Sequence, residues 1–161
     1  MSPLSRPSTT SPPADTGARR AAWMRVLALA EPAALEQAVK ALGPLPAHHP
    51  LRAPESGMAM VRARSGGTGA QFNLGEMSVT RCAVTLDGGA MGVAYVQGRG
   101  RRHAEQAAVL DALLQQDDWH DRIQATVITP LAQAHSERAR RQAHVAAQTQ
   151  VEFFTMVRGE D

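Results

Sequence analysis

The sequence predicts an α+β protein: a single domain with an antiparallel sheet of about four strands flanked by helices, and a long C-terminal helix. Three observations predict it. Between residues 48 and 97, apolar and polar residues alternate with the period of two expected of half-buried strands. Two turn signals, Gly66-Gly67-Thr68-Gly69 and Asp87-Gly88-Gly89, divide that stretch. On either side of it, apolar residues recur at three- and four-residue steps, the period of a helix that buries one face.

The first seventeen residues are Ser-, Pro- and Thr-rich and are expected to form a disordered leader, leaving 18–161 as the folded domain. From 18 to 30, Trp23, Val26, Leu27 and Ala30 share a helical face. Glu31-Pro32 restarts the chain, with Pro32 suited to the first turn of a second helix carrying Leu35, Val39 and Leu42. Gly43-Pro44 ends that helix. Residues 48–54 read as a weak, proline-bounded edge strand. Residues 57–64 form a better one, with Ala59, Val61 and Ala63 on one face and Met58, Met60, Arg62 and Arg64 on the other. A long strand at 73–86, bulged near Gly75, turns through Asp87-Gly88-Gly89 into a fourth at 91–97. Residues 103–116 then read as a helix with Ala107, Leu110 and Leu114 in one stripe. A short helix is expected around Trp119, and after Pro130 a long one to about Arg158, lined by Ala139, Ala143, Ala146 and Phe153.

Composition sets outer bounds. A chain of 161 residues holds one ordinary core. Aromatics are only 4% of it, so the core must use small aliphatic residues, which bury less area at roughly 25 cal/mol per Å². Such a monomer is expected to be marginal alone and to complete its interior against other chains. Of seventeen basic residues only Lys40 is a lysine, and arginine binds carboxylates and phosphates through a two-pronged fork that lysine lacks. The lone cysteine, Cys82, excludes an internal disulfide and reads as a buried thiol. No apolar run approaches the roughly 20 residues needed to cross a bilayer, and no secretory signal is visible, so a cytoplasmic protein is expected.

Two segments are candidates for binding an anion or a partner. One is the turn Arg64-Ser65-Gly66-Gly67-Thr68-Gly69 together with Arg81, where backbone N–H groups and two guanidinium groups suit phosphate oxygens. It lacks the lysine of a phosphate-binding P-loop and the helix of a dinucleotide fingerprint, so an ordinary turn is the other reading. The second segment is Arg99, Arg101, Arg102 and His103, placed where a helix N-terminus attracts negative charge. Plain solvated surface is its alternative. The six histidines show no zinc spacing, and no metal site is expected. The sheet lacks the stacked aromatics of RNA binders, and no nucleophile–base set or carboxylate pair suggests a self-sufficient catalyst.

Four blocks carry a family resemblance: Ala63-Arg64-Ser65-Gly66-Gly67-Thr68-Gly69; Thr80-Arg81-Cys82-Ala83-Val84; Gly98-Arg99 with His103-Ala104-Glu105-Gln106 and Leu110-Asp111-Ala112-Leu113; and Val151-Glu152-Phe153-Phe154-Thr155-Met156-Val157-Arg158-Gly159. Together they resemble PhnG, the G-subunit family of the bacterial carbon–phosphorus lyase core complex. The resemblance implies a subunit that works with the I, H and L subunits to make α-D-ribose 1-methylphosphonate 5-triphosphate and adenine from ATP and methylphosphonate. It implies a core assembly of G, H, I and J chains, with glycosidic-bond chemistry mainly on I and carbon–phosphorus cleavage on J. This chain would then be accessory. It would bind no cofactor of its own, ATP being a substrate of the complex, and would engage neither nucleic acid nor membrane. Phe153, Phe154, Met156 and Arg158 would be its docking surface. The contrasting expectation is an independent module that binds nucleotide phosphate or RNA.

Overall fold

In the computed structural model, residues 14–148 are described, and the elements run α1 (Ala14–Leu29), α2 (Pro32–Leu42), β1 (His48–Arg64), β2 (Gln71–Leu86), β3 (Met91–Gln97), α3 (Arg101–Leu114), α4 (Asp117–Ile123) and α5 (Thr129–Gln148). The expected leader is described only from Ala14, where α1 begins. The sheet is antiparallel in the order β1-β2-β3. The two strands expected at 48–54 and 57–64 are one element, so the sheet has three strands rather than four. Proline is tolerated because β1 lies at the sheet edge, where a missing N–H leaves no neighbouring strand unpaired. Irregular register between Pro50 and Glu55 carries the strand past Pro54.

One face of the sheet carries the core. Thr80, Cys82 and Val84 of β2 point the same way as Val96, Ala94 and Gly92 of β3, to which the register pairs them, and Leu86 follows on the same face of β2. Helix α3 lies across them, and ten of its residues are buried. The contact is close because β3 places a glycine under it. A Cβ built on Gly92 would stand 1.9 Å from the Ala108 carbonyl oxygen. The remaining core comes from the stripes expected of the first two helices (Trp23, Leu27, Leu35 and Leu42) and from Ile123 and Val127. Leu35, Val96, Leu110 and Leu113 are all fully inaccessible within this one chain. Small residues thus pack tightly enough to bury these side chains within the one chain.

The helix expected to restart after Pro130 instead continues α4. A π-helical segment, Gln124–Ile128, joins α4 to α5. Proline has no N–H for the preceding turn, and a wider turn just before it accommodates the lost bond. Among the described residues no helix is long and apolar enough to cross a membrane.

Candidate functional site

β2 pairs with β3 only from Val79 onward, whereas its pairing with β1 continues to Gln71↔Arg64. Residues 57–64 and 71–78 therefore form a two-stranded arm, about 27 Å long at about 3.4 Å per residue, projecting beyond the three-stranded body. Met58, Met60, Phe72 and Leu74 on this arm are 59%, 54%, 46% and 64% exposed. That is half of the large apolar side chains exposed among the described residues.

The glycine turn forms the tip of the arm. Ser65–Gly67 makes one 3₁₀ turn, closed by the Gly69 N–H donating to the Ser65 carbonyl at 3.1 Å. Gly67 has φ +80°, which an L side chain rarely adopts. Arg64 donates to the Gly69 carbonyl at 3.0 Å, so its guanidinium braces the turn. Thr68 is exposed and closes the tip. Arg81 does not join this set. It lies opposite Glu55, nine residues down β1 from Arg64, and donates to the Glu55 carboxylate at 2.6 Å. Arg52 donates to the same oxygen at 2.5 Å. These bonds, from Arg52 first and Arg81 second, hold the Glu55 carboxyl below its ordinary range.

The segment before α3 also divides. His103 turns inward, 7% exposed, and donates from Nε2 to the Leu27 carbonyl at 2.7 Å. Arg102 pairs with Glu36 at 3.1 Å. Arg99 and Arg101 remain, lining a 410 Å³ groove with Ser56, Gly57, Met58 and Ser78. Neither guanidinium has an acidic partner among the described residues. The groove floor is held by a relay. Gly98 N–H donates to the Ser78 carbonyl at 2.7 Å, Thr80 Oγ1 to the Gly98 carbonyl at 2.7 Å, and Ser56 Oγ to Thr80 Oγ1 at 2.9 Å. Phe153, Phe154, Met156 and Arg158 lie outside the described residues.

The residue that sequence reasoning missed is Asp111. Fully buried in α3, it receives Arg20 through Nη2 at 2.7 Å and Nε at 3.2 Å, Trp23 Nε1 at 2.9 Å, and the Val93 N–H at 3.0 Å. One carboxylate thus ties α1 and the edge of β3 to α3. The hydrogen bond to Asp111 raises the Arg20 pKa above its ordinary value, against the opposing effect of burial. The available signal was a lone aspartate among Leu110, Ala112 and Leu113. Next to this pair, a 930 Å³ cavity opens between α1 and α4. His120 donates from Nδ1 to the Leu114 carbonyl at 2.7 Å, so its Nε2 accepts from Arg19 at 3.2 Å. Arg19, Arg20, Trp23 and His120, which line this cavity, are thus already engaged. Cys82 is 2% exposed, and burial first, then the Glu105 charge, raises its thiol pKa. No cluster of metal-ligating side chains occurs among the described residues.

The comparisons with known proteins agree with each other. Residues 18–159 match the model of a family described as phosphonate metabolism protein PhnG, and the chain belongs to that family. It is similar, at 41% identity over 144 residues, to the α-D-ribose 1-methylphosphonate 5-triphosphate synthase subunit PhnG of Rhizobium meliloti (strain 1021). The alignment covers 89% of this chain and 92% of that protein.

Proposed function

We propose that this chain is an accessory subunit of the synthase that makes α-D-ribose 1-methylphosphonate 5-triphosphate during phosphonate breakdown. In that reaction a phosphonate oxygen bonds to the ribose C1′ of ATP, and the bond from C1′ to adenine breaks. The triphosphate stays on the 5′ carbon. The chain's contribution is surface that assembles and shapes its neighbours, the I, H, J and L subunits, in the cytoplasm. ATP and methylphosphonate reach it only through the complex, and it holds no cofactor of its own.

The observation that carries this reading, beside the family, is the arm. Met58 and Met60 on its inner face and Phe72 on its outer face are all exposed, and large apolar side chains gathered on a projecting ribbon favour a docking role. How the polar groups are used supports an accessory role. Asp111 is committed to Arg20, Trp23 and Val93, Glu55 to Arg52 and Arg81, and His103 to a backbone carbonyl. The test is co-expression of the tagged full chain with the synthase subunits. The expected result is stoichiometric co-purification with the I subunit and turnover of ATP with methylphosphonate that requires this chain. Undiminished turnover in its absence would defeat the reading.

A further inference from the structure

The inner face of the sheet continues onto the arm, but the helix layer above it does not. Thr80 lies under α3, and Ser56, opposite it, bonds to its hydroxyl, so both are on the inner face. Met58 is opposite Ser78, whose Oγ lies 3.7 Å from its sulfur, and Met60 is opposite Glu76. The residues expected on one side of β1, Met58, Met60, Arg62 and Arg64, therefore extend the core-facing surface past the point where α3 begins. From Ser56 outward no element of the described chain takes the place that α3 holds over the body. What is left is an apolar stripe with a basic rim. Arg62, Arg64, Arg99 and Arg101 surround Met58 and Met60, and Glu76 is the arm's one inner-face carboxylate among the described residues. Arg62, Arg99 and Arg101 have no acidic partner there.

We propose that this stripe is the seat of an amphipathic helix from a partner subunit, laid beside the N-terminal end of α3, with carboxylates at its margins facing Arg62, Arg99 and Arg101. The inference rests on the subunit reading above and names the surface through which it operates. Three features select this occupant. The vacant position is in a helix layer, whereas an added strand would use the free outer edge of β1. Met58 and Met60 are two residues apart on a strand, about 7 Å, close to the roughly 6 Å between positions i and i+4 of a helix. Methionine adapts its shape to an incoming apolar side chain. The rim then favours a helix flanked by Asp or Glu, since opposed charges steer docking and reject basic partners. A free triphosphate would use the arginines and leave both methionines in water.

The experiment uses the full chain in the assembled synthase, with a photoreactive phenylalanine replacing Met60 and, separately, Tyr95 on the opposite face. Met60 is expected to cross-link to an acidic amphipathic helix of a partner, and Tyr95 is not expected to reach that helix. Met60→Asp and the double variant Arg99→Glu with Arg101→Glu should each reduce partner retention about ten-fold or more, with the circular dichroism spectrum unchanged. Assembly that proceeds normally with these variants, or a Met60 cross-link to a basic or non-helical segment, would overturn the proposal while leaving the subunit reading intact. So would normal assembly combined with lost binding of inorganic tripolyphosphate, which would assign the arginines to an anion. Failure of the unaltered chain to assemble would defeat the subunit reading, and this inference with it.

Discussion

Along β2, Thr80, Cys82, Val84 and Leu86 lie beneath α3 at 0%, 2%, 1% and 4% exposure, while Glu76, further out on the same face, is exposed and lies opposite Met60, itself 54% exposed. One continuous strand therefore serves two environments. In the body each inward side chain meets a helix, and the closest approach is set by Gly92 against Ala108. On the arm the same alternation continues, and no described element forms a second layer over it. The body obtains its stability from burial and from polar ties such as Arg20 with Asp111. Among the described residues the arm is held chiefly by hydrogen bonds between two strands, and a lone two-stranded ribbon is marginal in water. The difference teaches that apolar patterning alone does not mark a core, because a docking surface uses the same pattern.

Substitutions that separate the two regions test this contrast, beginning with the largest effect. Asp111→Ala should destabilise the fold by about 3–5 kcal/mol, because Arg20 is left partly buried without its partner and Trp23 and Val93 lose their acceptor. Denaturant unfolding of the full chain measures this, and a loss under 1 kcal/mol would show that the body does not depend on this tie. Next, Gly92→Ala should cost about 1–3 kcal/mol, since its methyl group must push α3 off the sheet. On the arm, Met58→Ser with Met60→Ser should change unfolding free energy by no more than about 0.5 kcal/mol, yet weaken partner retention. A large stability loss there would make the arm part of the body's core and erase the comparison.

The smallest effect concerns pH. Glu55 titrates lower in the folded chain than in the unfolded one, because Arg52 and Arg81 donate to its carboxylate. The unfolded chain thus binds the proton first as pH falls, so any stabilisation from this cluster is complete above about pH 4.5 and lost below it. Glu55 is about half exposed, and added salt should shrink the effect further. Wild type should therefore be slightly more stable than Glu55→Gln near neutrality, and acid unfolding curves of the two should converge as pH falls below about 4.5.

Much of the fold was legible. Helical spacing marked α1, α2 and α3, and Asp87-Gly88-Gly89 marked the turn between β2 and β3, because these signals act within a few residues. The length of β1 was not legible, since proline's local effect suggests a break while its place at the edge makes continuity harmless. The candidate site was only partly legible. Its arginines were visible, but Arg64 and Arg81 proved to be nine register positions apart, and Arg102 and His103 had partners elsewhere in the chain. Composition shows which groups a chain carries. It does not show which of them its own fold will occupy.

By itself the sequence determined the α+β class, the order of the elements, the tip of the arm and the family to which the chain belongs. Local propensity and periodicity suffice for the first three, and residue identities over 18–159 for the last. Only the tertiary structure decided that Asp111 anchors the body, that Arg99 and Arg101 have no acidic partner among the described residues, and that the core face extends onto the arm past the end of α3. Those are relations between residues distant in sequence, such as Arg20 with Asp111 and Met58 with Ser78. They exist only once the strands have registered and the helices have taken their places above the sheet.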